Sequence, residues 1–308
     1  MPSDNRMDHR DWALLVLLSV LWGGSFFFNG VILRQLPPLT LVFLRVALAA
    51  FILLPLLPVY RIVLPKRLSG WAPFFAIGLF NNVLPFSLIV LGQTFVPSGL
   101  ASILNATTPL FTTMVMALAG EESLQARRVA GVILGVIGVG ILHGDALGFV
   151  SGQGIGILLC LAAAFSYGVA ALVARRLPSS ALPLGTATFQ MLASATMMLP
   201  IAAIVDRPWQ LPAPDATTWL AVLGLAAVST ALAYLVFFQI LRRSGATNVM
   251  LVTLLIPVTA ILLGTFVLGE AISAREVIGA LVIASALLVI DGRLSKMFRS
   301  SGASRESA

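Results

Sequence analysis

"LAGEESLQARRVAG" (118–131) and "VLGEAISAREVIG" (267–279) are two versions of one phrase. At a constant shift of 148, Glu122 falls on Glu270, Ala126 on Ala274, Arg127 on Arg275, Val129 on Val277 and Gly131 on Gly279. Pro109 and Pro257 obey the same shift, and Gln93, Ser98 and Gly99 meet Gln239, Ser244 and Gly245 at 146. Each phrase lies between two apolar runs. A chain that writes one junction twice, half its length apart, reads as two copies of one unit.

Composition says where those units live. Of 308 residues, 59% are hydrophobic and only 10% charged, with a mean hydropathy of +1.01. So little charge cannot cover a soluble surface, and apolar runs of about 20 residues mark membrane-spanning helices. The net charge of +7 would suggest nucleic acid in a soluble protein, but here the charges sit between the apolar runs. The lipid bilayer is therefore the expected partner, and nucleic acid is not. The single cysteine, Cys160, excludes an intrachain disulfide and a cysteine metal cage. The first apolar run, from Trp12, is too long for a signal-peptide core and reads as a spanning helix.

Ten apolar segments are expected: 12–33, 39–60, 71–95, 99–120, 126–143, 153–174, 182–205, 217–241, 246–268 and 275–291. The fifth and tenth are short for a hydrocarbon core of about 30 Å. Taken in alternation, the N-terminal side holds fifteen Lys and Arg, including Arg61, Arg127, Arg128, Arg175, Arg176, Arg242, Arg243 and Arg293. The other side holds three, Arg34, Arg207 and Arg275. Cationic loops stay in the cytoplasm, so both termini are expected inside. Five spans per half is an odd number. The first unit (1–146) and the second (147–308) would then be inverted relative to each other, an all-α architecture of secondary transporters with the substrate at the midplane.

The order of "LWGGSF" (21–26), "FLR" (43–45), "NATTPLF" (105–111) and the two junctions ending at Gly131 and Gly279 resembles the drug/metabolite transporter superfamily, in its ten-span branch with two EamA-type repeats. The resemblance covers nearly the whole chain. It implies an exporter of amino acids and related metabolites; the likeness runs toward bacterial inner-membrane exporters of aromatic and other neutral amino acids. The halves are not identical: where the first has Trp22 and Arg45, the second has about Phe165 and Gln190.

Three prolines inside spans locate a candidate site. A proline cannot donate to the carbonyl four residues back, so Pro85 frees Asn81, Pro109 frees Asn105 and Pro257 frees Thr253. Pro109 and Pro257 each lie about 15 Å into a span, near the midplane. These are either substrate-facing kinks or packing bends relieved by neighbouring hydroxyls. Arg45 is the one basic residue well inside a span. It either attracts a carboxylate or snorkels outward. Trp22 is too deep for the interfacial aromatic belt, and with Phe26, Tyr167, Tyr234 and Phe237 it could form an aromatic wall. Ser25, Asn29, Asn82, Gln190, Ser229 and Thr230 complete the neutral polar candidates, each equally able to serve as an interhelical hydrogen bond. Gly131, Gly135 and Gly138 allow close helix approach, either within the chain or between two copies.

Absences carry weight too. All twelve acids lie in loops, tails or span ends, and neither His9 nor His143 is deep. Glu122 and Glu270 read as helix-start residues. Proton-driven carriers usually keep a titratable relay in the membrane, so the expectation is a facilitator that needs no cofactor; a proton-coupled exporter of lipophilic compounds is the alternative. No HExxH, intramembrane acid pair or Cys/His couple suggests a metal site or an enzyme.

Overall fold

A computed structural model describes residues 8–121, 126–143, 152–176, 183–249 and 251–291. Among them every regular element is helical. In hydrocarbon an unpaired backbone amide has no water to turn to, so a lipid-embedded chain closes its hydrogen bonds within helices. In order these are α1 (His9–Ile32), α2 (Pro38–Leu53), α3 (Leu56–Val59), α4 (Ala72–Gly78), α5 (Leu84–Gly92), α6 (Ser98–Asn105), α7 (Thr108–Leu118), α8 (Ala126–His143), α9 (Gly152–Arg176), α10 (Pro183–Val205), α11 (Ala216–Ala226), α12 (Ala233–Val249), α13 (Val252–Leu263) and α14 (Ala274–Asp291). Wider π turns join α4 to α5 (Leu79–Val83) and α11 to α12 (Ala227–Leu232), and a third, Gly264–Leu268, follows α13.

Seven helical stretches are long and apolar enough to span: His9–Ile32, Pro38–Val59, Leu68–Gly92, Ser98–Leu118, Gly152–Arg176, Pro183–Val205 and Ala216–Leu241. Val129–Leu142 and Val252–Leu268 are shorter apolar helices. Large apolar side chains stand exposed around the bundle, among them Phe51, Val136, Ile204, Leu220 and Leu281. Such a belt would promote aggregation in water and is at home in lipid.

Two boundaries differ from expectation. The chain was expected to leave its helix at 242–245, yet α12 runs through Gly245 to Val249. One glycine costs a helix only about 1 kcal/mol, and Arg243 is tied down there by Asp8 and Asp11. The fourth span was expected to kink at Pro109. Instead it breaks between α6 and α7, and Pro109 takes a place in the first turn of α7, where no intrahelical donor is required.

The helices pair reciprocally. α2 packs on α10, and α8 on α14. α1 packs on α13, as α9 does on α6 and α7; α1 also packs on α11 and α12, as α9 does on α5. α2 meets α11, as α10 meets α4. Exchanging the two halves reproduces these pairings. At the α8–α14 crossing a Cβ on Gly138 would stand 3.2 Å from the Gly279 carbonyl oxygen, and one on Gly279 3.0 Å from that of Gly138. These glycine-rich helices therefore pack on each other within one chain.

The junctions carry a correction in register. Gly120 and Gly269 both turn left-handed at φ 73°, ending their helices. That structural match pairs Glu121, not Glu122, with Glu270; Glu122 lies outside the described residues. Nor does Glu270 start the helix that follows it. Its Oε1 accepts the Ser98 N–H at 3.0 Å and its Oε2 that of Gly99 at 3.4 Å, capping α6 from the other half.

The two ends of the bundle differ in kind. At one, Arg243 donates to Asp11 at 2.7 Å and Asp8 at 3.0 Å, and Glu121 takes Arg176 at 2.9 Å. At the other, acids meet neutral donors. Asp206 Oδ2 accepts the Thr40 N–H at 2.6 Å and its hydroxyl at 2.9 Å, and Asp215 pairs with Gln35 at 2.8 Å.

Candidate functional site

The π turns Leu79–Val83 and Ala227–Leu232 begin at the repeat spacing of 148. An inserted residue widens the turn and displaces carbonyls from the ladder, and such turns recur at functional sites. Those carbonyls find neighbouring hydroxyls: Ser166 on α9 donates to the Phe80 oxygen at 2.8 Å, Ser194 on α10 to that of Gly78 at 3.3 Å, and Thr230 to that of Leu225 at 2.8 Å. Pro85 sits just past the first π turn, at the start of α5.

The spacing of 148 makes Asn82 and Thr230 equivalents, and likewise Phe86 and Tyr234 one turn further on. All four side chains are buried and converge. The Tyr234 hydroxyl accepts Asn81 Nδ2 at 3.1 Å and Asn82 Nδ2 at 3.2 Å, and Gln190 on α10 reaches the same hydroxyl. From α2, Arg45 donates Nε–H to Thr230 Oγ1 at 3.0 Å, with its guanidinium carbon 3.7 Å above the centre of the Phe86 ring. Arg45 is only 6% exposed, so it does not snorkel. Tyr167 and Tyr234 lie within electrostatic reach of it.

One oxygen here is buried without a partner, Asn82 Oδ1; Ser229 Oγ is also unpaired but lies against Gly24 of α1. An unsatisfied buried polar atom costs about 1–3 kcal/mol. The arrangement therefore offers one guanidinium, a tyrosine hydroxyl and a vacant acceptor to whatever enters.

The remaining candidates fall elsewhere. Trp22 is half-buried on α1 and packs on Phe237, ring centres 5.5 Å apart. Ser25 is spent on its own helix, donating to the Trp22 carbonyl at 2.6 Å. Asn29 joins a separate network in which its Nδ2 donates to Gln93 Oε1 at 2.8 Å, and Gln93 Nε2 to the Phe26 carbonyl at 3.0 Å and Ser98 Oγ at 3.1 Å. The Asn105 carbonyl is not orphaned: Thr108 Oγ1 donates to it at 2.7 Å. Its side-chain oxygen, however, is buried and unpaired. Thr253 is half-buried, and Pro257 lies on an apolar groove of about 220 Å³ between α6, α13 and α14. Sequence reasoning missed Phe86, Ser166 and Ser194. Only Phe86 carried a signal, its repeat match to Tyr234.

Comparisons with known proteins fit this geometry. The profile of the EamA-like transporter family matches residues 11–143 and again 154–291. A Salmonella typhimurium protein described as a probable amino-acid metabolite efflux pump is 31% identical over 297 residues, covering 92% of this chain and 95% of its own. An Escherichia coli K12 protein of the same description is 28% identical with the same coverage. The uncharacterized inner membrane transporter YedA of E. coli K12 is 27% identical, with 91% of this chain and 90% of its own covered. One crystal structure shares the fold at a TM-score of 0.64, 20% identical, covering 91% of this chain and 96% of that one.

Proposed function

The chain belongs to the EamA-like transporter family, and on that premise we propose that this multi-pass membrane protein exports small metabolites, foremost neutral and aromatic amino acids. The two halves, 1–146 and 147–308, act as inverted five-span repeats with both termini in the cytoplasm, rocking about a central site in alternating access. The cation-rich end with Arg243 and Glu121 would then face the cytoplasm. The observation that carries this reading is the pair of π turns at the repeat spacing, beside which Asn81, Asn82, Tyr234, Thr230 and Arg45 meet with one unpaired acceptor. Transport runs down the substrate's own gradient, because no acid or histidine lies deep in a span.

Purified protein in liposomes, given a panel of labelled amino acids, tests the reading. Counterflow of at least one neutral amino acid is expected, and Asn82→Ala should abolish it at unchanged protein incorporation. An imposed pH gradient should drive no uphill accumulation. Counterflow indifferent to Asn82→Ala would remove the site, and gradient-driven accumulation would remove the facilitator.

A further inference from the structure

The Arg45 guanidinium is a buried cation without an anion. Among the described residues no carboxylate pairs with it, and the sequence places none of its twelve acids deep inside a span. Moving a charge out of water costs several kcal/mol unless something compensates it. Thr230 takes Nε–H, and the Phe86 ring covers one face. Those contacts orient the planar fork but leave its negative partner wanting, and the two Nη groups are the donors best shaped for a carboxylate. Asn82, held on Tyr234 by its Nδ2, keeps a buried Oδ1 with no partner of its own.

We propose that these groups form one receptor for a zwitterion: Arg45 holds a substrate carboxylate through its Nη edge, while Asn82 Oδ1 takes the ammonium. This rests on the transporter reading above and narrows it to ligands with a free carboxylate. The repeat equivalence adds direction. The place that Arg45 occupies in α2 is taken by neutral Gln190 in α10, turned toward Tyr234 instead. A carboxylate therefore has one anchor, not two, and the substrate sits in a single orientation across the pseudo-symmetric site. Amides, esters and decarboxylated amines leave the guanidinium unpaired and are rejected, by the asymmetry that penalises a missing hydrogen-bond partner far more than a missing methylene.

The test uses the full chain in liposomes with three labelled probes: phenylalanine, phenylalanine amide and phenethylamine. The wild type should carry phenylalanine at least about tenfold better than either analogue. Arg45→Gln should raise the KM for phenylalanine about 10- to 100-fold and erase the preference for acid over amide. Arg45→Lys should keep part of that preference, as a point charge without the fork. Thr230→Val, which leaves the charge but frees the fork, should raise the KM for phenylalanine and leave the amide unchanged; it carries the test with Arg45→Lys if the neutral variant fails to insert. Wild type moving acid and amide alike, or Arg45→Gln retaining the preference, overturns the receptor while the transporter reading stands. If none of the probes moves, thermal stabilisation in detergent decides. Stabilisation by phenylalanine but not by its amide, lost in Arg45→Gln, upholds the anchor. No such stabilisation overturns both the anchor and the amino-acid reading.

Discussion

Tyr234 shows how much one hydroxyl can organise. It gathers amides from Asn81 and Asn82 onto one oxygen, with Gln190 of another span close by. Tyr234→Phe leaves two amide groups short of their partner in a buried site. The expected destabilisation is about 1–3 kcal/mol, read as a lower melting temperature in detergent, and transport should fall by more than protein abundance does. Equal loss in both would make Tyr234 a packing residue. Asp215 makes a different point at the bundle's end. The Thr218 N–H, and after it Gln35, holds its carboxyl below the usual carboxylate range. A depressed folded value means the contribution is present above the unfolded value of about 3.9. It is lost as pH falls through the folded one. Asp215→Asn should flatten that acid limb, and melting curves between about pH 2 and 5 would show it. These residue roles were only half legible. Asn82, Arg45, Tyr234 and Gln190 stood out as polar groups in apolar runs, but nothing in a string of letters says which of them meet. Ser25 and Asn105 looked the same and are spent locally or lie elsewhere, because a hydroxyl one turn away answers a freed carbonyl as well as a substrate does.

At the scale of elements, prolines were legible and π turns were not. Pro85, Pro109 and Pro257 announce irregular helices, yet each is absorbed differently: just past a π turn, in the first turn of a new helix, and inside α13. A π turn has no composition of its own, since any residue can be the inserted one. What betrays these two is their recurrence after 148 residues, a relation visible only once the repeat is known. The fifth and tenth segments looked too short to span alone, and the structure gives a reason they can be: α8 and α14 cover each other. That contact depends on backbone approach. Gly138→Leu puts a branched side chain where the Gly279 carbonyl and Ile283 already sit. Overpacking of this kind costs about 1–3 kcal/mol, expected as a lower melting temperature, while Gly140→Leu, whose Cβ meets nothing within 4 Å, should be nearly silent. Similar effects at both positions would mean the crossing does not limit stability.

For the whole molecule, contacts recur between the halves and the family profile matches twice; the duplicated junction made the repetition legible, and charge placement its expected inversion. Under the proposed alternating access the two halves move against each other. α1 and α12 lie in opposite halves, and Arg243 ties them through Asp8 and Asp11. Any rocking that opens this end has to break the tie. Arg243 and Asp8 are partly exposed though Asp11 is buried, so the tie is worth about 1 kcal/mol, enough to bias a balanced equilibrium a few-fold but too little to lock it. Arg243→Gln should therefore shift the population toward the state open at this end. Ser19 offers a reporter: it is 4% exposed on α1, eight residues inward from Asp11. In a Cys160→Ser background, a Ser19→Cys thiol should react with a membrane-impermeant maleimide about two- to fivefold faster when Arg243 is replaced. High salt should bring the intact protein part of the way, because it screens exposed pairs. Labelling that ignores both the substitution and the salt would place the moving boundary elsewhere in the bundle.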